Sequence, residues 1–205
     1  MISTIIFDFG DVFINLDKPA IERELHKLGV TSITEKMLQT AMQYEKGLIS
    51  TDDFVAAFTT KYPSITAAQF KSAWNSIILD FPKYRLDFLE KLSTSKNYKL
   101  ILLSNTNALH IEQVIENMSL YIYERFKNCF DQFYLSHEIK LRKPDTSIYT
   151  YVLKENQLEA AACFFVDDTT ENTESASLLG IHTWNNDPIK DDIINLFDNP
   201  IFYNS

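Results

Sequence analysis

The sequence predicts an α/β fold, with a Rossmann-like parallel sheet core and a small α-helical cap inserted after the first strand. Three observations predict it. Short β-branched or aromatic runs, bounded by polar residues, recur along the 205-residue chain. Helical apolar spacing separates most of them, the pattern of parallel βαβ units. One long stretch, between the first two runs, shows helical spacing and no convincing strand.

Thr4–Phe7 reads as the first strand, with its apolar run stopped by Asp8. From about residue 17 to 82 apolar residues repeat three and four apart. They are Ile21, Leu25 and Leu28 up to Gly29; Met37, Ala41 and Tyr44; Phe54, Ala57 and Phe58; and Phe70, Ala73 and Trp74. This spacing predicts about four helices, each with an apolar stripe. Phe54, Phe58 and Trp74 read as the core of that insertion. The expected division is therefore a core of residues 1–16 and 83–205 and a cap of 17–82. A helix over 84–95, with Leu86, Leu89 and Leu92 inward, leads to a strand at 99–103. Gln132–Leu135 is a weaker strand candidate. A helix at 147–155, a strand at 163–166, a helix at 171–179 stopped by Gly180, and a strand at 181–184 complete the alternation. The tail beyond Trp184 is expected to form a last helix on the sheet.

Composition narrows the functional classes. Hydrophobic residues at 45% and charged residues at 23% fit a folded globular chain. Two cysteines, Cys129 and Cys163, exclude a disulfide scaffold and a four-cysteine zinc site, and fit buried thiols in a reducing compartment. The net charge is −9; residues 1–100 carry 12 basic and 12 acidic side chains, residues 101–205 carry 7 and 16. No basic block offers itself to nucleic acid. No run is long enough to span a bilayer, and the N-terminus has no positive region of a signal peptide. A cytoplasmic protein is expected.

The polar residues that follow the strands carry the chemistry. Strand one is followed by Asp8-Phe9-Gly10-Asp11, strand two by Ser104-Asn105-Thr106-Asn107, and the strand at 163–166 by Asp167-Asp168-Thr169. Arg142-Lys143-Pro144 precedes a helix. Ligands of an open parallel sheet bind outside the carboxyl ends of its strands, so these groups converge. Carboxylates and a backbone carbonyl are hard ligands suited to Mg²⁺. A carboxylate nucleophile, a metal, a hydroxyl and a lysine are the parts of phosphoryl transfer through an aspartyl-phosphate.

These segments, in this order, resemble the four motifs of the haloacid dehalogenase-like hydrolases. The resemblance covers essentially the whole chain, and it extends to small bacterial phosphatases with the same Ser-Asn-Thr-Asn and Arg-Lys-Pro patterns. It implies Asp8 as nucleophile and metal ligand, with the Gly10 carbonyl also on the metal. It implies Ser104 and Asn105 on the phosphoryl group, and Lys143 orienting Asp8 and stabilising the transferring charge. Asp168 would be a direct Mg²⁺ ligand, Asp167 a ligand directly or through water, and Asn172 a supporting group.

The chain departs from the family pattern at Gly10, where many members place an aspartate that protonates the leaving oxygen. Alternation along an extended segment turns Asp11 away from Asp8, so Asp11 is not the expected substitute. An anomeric sugar phosphate, with its more acidic leaving oxygen, would suit a missing acid. The charged turn Glu45-Lys46-Gly47 lies where a lid reaches the site, so Lys46 or Glu45 is expected to help select substrate. The leading expectation is a Mg²⁺-dependent phosphatase acting on a small phosphorylated metabolite, a sugar phosphate first. The alternatives are a metal-independent haloacid dehalogenase and a non-catalytic binding protein. Oligomeric state is open.

Overall fold

The computed structural model describes residues 1–203. Its elements follow in chain order. β1 (Thr4–Phe7) is followed by four helices, α1 (Ala20–Lys27), α2 (Glu35–Glu45), α3 (Thr51–Lys61) and α4 (Ala67–Asn75). Then come α5 (Lys83–Ser95), β2 (Lys99–Ser104), α6 (Ala108–Met118), α7 (Leu120–Lys127), β3 (Gln132–Leu135) and the short α8 (Ser136–Ile139). The chain continues through α9 (Thr146–Glu155), β4 (Cys163–Asp167), α10 (Thr170–Ser177) and β5 (His182–Asn185).

The five strands form one parallel sheet in the order β3-β2-β1-β4-β5. Their near-continuous apolar sequences follow from burial on both faces, as parallel sheets require. On one face Ile5 and Phe7 of β1 pack with Leu100, Leu102, Phe164 and Val166, under Leu86 and Leu89 of α5 and Phe126 of α7. On the other, Ile6 packs with Ile101, Leu103 and Phe165, under Ile148 and Val152 of α9 and Ala176 of α10. The alternation of β1 thus divides three helix–sheet–helix layers.

The helices between β1 and α5 hold a cluster of their own. Tyr44 stacks on Phe54 at 4.3 Å, and Phe58 on Phe70 at 4.3 Å. Phe54 and Phe70 are fully buried. Thr66 marks the start of α4 chemically: its hydroxyl accepts from the Gln69 N–H, and Gln69 Oε1 accepts from the Thr66 N–H. Leu109 of α6 joins this cluster from the sheet side.

Several bounds differ from the expectations. β2 and β4 each run one residue further, to Ser104 and Asp167, because Leu135 and Asn185 extend the pairing on the neighbouring strands. β5 starts at His182 rather than at 181. The tail forms two short 3₁₀ turns, Ile193–Asp198 and Pro200–Phe202, instead of an α-helix. There the side chains of Asp192 and Asn199 take backbone N–H groups locally, favouring turns over a continuing helix. Apolar runs alone do not mark α6 and α7.

Candidate active site

Register places the site. Phe7 of β1 is level with Val166 of β4, so the next residues, Asp8 and Asp167, stand side by side at the carboxyl ends of adjacent strands. The Asp8 N–H donates to the Val166 carbonyl at 2.9 Å and fixes that turn. The buried ammonium of Lys143 lies between the two carboxylates, 2.8 Å from Asp8 Oδ1 and 2.6 Å from Asp167 Oδ2. Asp8, Asp167 and Asp168 each offer an oxygen within 4.8 Å of the others. Burial pushes the Asp8 carboxyl up to about 7, against the pull of Lys143. Burial alone would lower Lys143, but Asp167 and Asp8 outweigh it and hold the ammonium above its usual range.

Asp167 and Asp168 are not equivalent. Asp167 is saturated: besides Lys143, it accepts from the Thr169 N–H at 2.8 Å and from the Asn172 amide at 3.0 and 3.1 Å. Among the described residues the Asp168 carboxylate meets only Lys18, which also lies 3.1 Å from Asp11. Burial raises Asp168, opposed by that lysine. Four carboxylates face two ammonium groups here, leaving two negative charges, the complement of one divalent cation. The Gly10 carbonyl accepts no hydrogen bond among the described residues, so it is available as a further ligand. Hard oxygen donors with this charge are suited to Mg²⁺.

Asp11 departs from the reading based on alternation. Its φ is +52°, so the segment after Asp8 is not extended and the period of two does not apply. Its carboxylate accepts from the Leu16 N–H at 2.9 Å and turns toward Lys18, on the Asp168 side. Lys18, the first cation of the inserted segment, is the group sequence reading missed. It belongs to no motif, and only its position seven residues after Asp11 could have flagged it.

Ser104 ends β2 with its hydroxyl unengaged among the described residues, as are the N–H groups of Phe9, Gly10 and Asn105. The Asn105 side chain is engaged differently from expectation. Its amide donates to the Lys143 carbonyl at 2.8 Å and accepts from the Lys143 N–H at 2.9 Å. Asn105 therefore clamps the lysine's backbone, and its own N–H is the part free for an anion. The peptide bond between Lys143 and Pro144 is cis.

The turn after α2 docks on the core beside this cluster. Arg142 Nε donates to Glu45 at 2.7 Å, Lys46 donates to Asp145 at 2.8 Å, and the Ser136 hydroxyl donates to the Glu45 carbonyl at 2.7 Å. A Cβ on Gly47 would stand 1.9 Å from the His137 carbonyl oxygen. Glycine, at φ +59°, is what allows the two backbones to meet.

The family model of the haloacid dehalogenase-like hydrolases matches residues 5–185, spanning every group above. The chain belongs to this family. Among solved structures, a haloacid dehalogenase family enzyme of Bacteroides thetaiotaomicron in a magnesium complex superposes with a TM-score of 0.85 at 34% identity, covering 96% of this chain and 98% of that one. The D-ribitol-5-phosphate phosphatase of Bacteroides thetaiotaomicron is 27% identical over 90% of this chain and 91% of its own length. A sesquiterpene phosphatase of Aspergillus oryzae is 27% identical over 86% and 85%. Among the described residues of this haloacid dehalogenase-like hydrolase, no helix is long and apolar enough to cross a membrane.

Proposed function

We propose that this phosphoric monoester hydrolase uses Mg²⁺ and Asp8 to cleave the phosphate ester of a small metabolite through an aspartyl-phosphate. The observation that carries the reading is the Lys143 ammonium held between Asp8 and Asp167, with Asp168 beside them. Asp8 and Asp168, with the Gly10 carbonyl, would hold the cation, with Asp167 behind them through Lys143. When bound there, Mg²⁺ would neutralise the phosphoryl oxygens and lower the Asp8 carboxyl, so that it stays ionised. The Asp8 oxygen attacks phosphorus, the bond from phosphorus to the ester oxygen breaks, and the leaving alkoxide takes a proton from water. Water then attacks the phosphorus of the aspartyl-phosphate, releasing inorganic phosphate and restoring Asp8. Lys143 orients Asp8 and stabilises the transferring charge, while Ser104 and the N–H groups of Phe9, Gly10 and Asn105 cradle the phosphoryl oxygens.

Residues 17–82 act as a lid on a core of 1–16 and 83–205. The ion pairs of Glu45 and Lys46 fix that lid, and through it these residues rank substrates; equal ranking after both are changed to alanine would dismiss this role. The D-ribitol-5-phosphate phosphatase relative supports a sugar or sugar-alcohol phosphate as substrate. Phosphate release should require Mg²⁺, stop with a chelator, and be lost in Asp8→Asn. Release that survives in Asp8→Asn would overturn the mechanism.

A further inference from the structure

A cavity of about 440 Å³ opens between α1 and α2, within the range of small-ligand sites. Lys18 and Arg142 stand at its rim, so it adjoins the catalytic cluster: Lys18 touches Asp168, and Arg142 precedes Lys143. Away from the rim its wall is apolar. Ile21 and Leu25 of α1, Leu38 and Met42 of α2, and Phe58 and Trp74 line it, and every uncharged lining residue is apolar. The Trp74 N–H is already donated to Asn107 at 3.4 Å. At the rim, Glu45 and Arg142 are paired with each other, and Lys18 is held by Asp11 and Asp168.

A sugar or polyol needs a partner for each hydroxyl it buries, because an unpaired buried hydroxyl opposes binding. The apolar part of this wall offers none, and the two further carboxylates that line the cavity, Glu22 and Glu35, are both exposed to water. An aliphatic chain needs no partner and gains with each methylene removed from water. We infer that the cavity binds the leaving alcohol of the substrate, and that this alcohol is an aliphatic chain whose polar part is confined to the phosphate end. The inference rests on the phosphatase reading, and it parts from the sugar-phosphate expectation over the alcohol alone. Leu38 and Met42, at 48% and 39% exposure, are apolar surface that such a chain would cover.

The test uses the Mg²⁺-loaded enzyme and n-alkyl phosphates from ethyl to hexyl, with ribitol 5-phosphate and glucose 6-phosphate beside them. kcat/KM should rise about threefold to fourfold per added methylene. Hexyl phosphate should exceed both polyol esters, and Met42→Glu or Leu38→Glu should flatten the series. A second readout is independent of turnover: Trp74 fluorescence in metal-free Asp8→Asn protein, with Trp184→Phe to isolate the signal. Hexyl phosphate should shift it at lower concentration than ethyl phosphate, and ribitol 5-phosphate should not shift it. A flat series, or polyol esters preferred in both assays, overturns the inference and leaves the phosphatase reading standing. Chain-length-dependent binding without hydrolysis of any ester overturns the phosphatase reading and leaves an apolar ligand site.

Discussion

Lys143 places its fully buried ammonium 2.8 Å from the carboxylate of Asp8, across 135 positions of sequence. The same nitrogen holds Asp167, so one side chain keeps two adjacent anions apart. Lys143→Met would leave those anions facing each other out of water. Removing one partner of such a buried set costs about 3–5 kcal/mol. Denaturant melts should show a loss of that order. Activity should fall by roughly 10²–10³, the loss typical of one missing transition-state donor.

Asp167 and Asp168 make separable predictions. Among the described residues the Asp168 carboxylate has only an exposed lysine as partner, so Asp168→Asn should weaken Mg²⁺ binding by at least about tenfold in a calorimetric titration, with little change in the melt. Asp167 accepts from Lys143, Thr169 and Asn172, so Asp167→Asn should lower the melting temperature as well. Equal effects of the two variants on both measurements would show that the division between them is wrong.

Gly10 invites a gain-of-function test. A Cβ there would stand 2.7 Å from the tip of Leu16, the flexible end of a side chain that can turn aside. Gly10 also lacks the positive φ that would strain a larger residue. Gly10→Asp should therefore fold. It should raise turnover of alkyl phosphates by up to about 10²-fold, the lower end for a general acid, and change aryl phosphates with good leaving groups far less.

His110 links the inserted helices to the core, and its protonation should loosen that link. Its ring stacks on Trp74 at 5.2 Å, and its Nε2–H donates to the Trp74 carbonyl. That assigns Nδ1 as acceptor from the Asn107 amide, 3.1 Å away. Burial lowers its pKa to about 4, against 6.5 for the free side chain. Between those values the unfolded chain binds the extra proton. Stability is thus fully present above pH 6.5 and lost as pH falls toward 4, by up to about 3 kcal/mol. Melting curves from pH 7.5 to 4.5 should show this slope, and His110→Gln should reduce it.

Much of this was legible in the sequence. The alternation of strands and helices, the long helical insertion and the polar residues ending each strand follow from local patterns. Four ordered motifs then bring Asp8, Ser104, Lys143 and Asp168 to one sheet edge. What was not legible depends on conformation beyond periodicity. Asp11 faces Lys18 because its backbone is left-handed, which no spacing rule contains. Asn105 clamps Lys143 through a pairing 38 residues apart. Phe58 and Trp74, read from spacing as core, are core, yet each also shows a side to the cavity. The charges of Glu45 and Lys46 were visible, but their partners Arg142 and Asp145 were not.

The central place of β1 orders events during synthesis. β1 lies between β2 and β4, so it waits for a partner made near residue 163 before both its edges are paired. Asp8, the proposed nucleophile, is made early and meets its partners late. A nascent chain that has reached β3 carries Asp8 without Lys143, Asp167 or Asp168, so the buried cluster of charges has not yet formed. The assembled cluster therefore reports that the sheet has closed around β1.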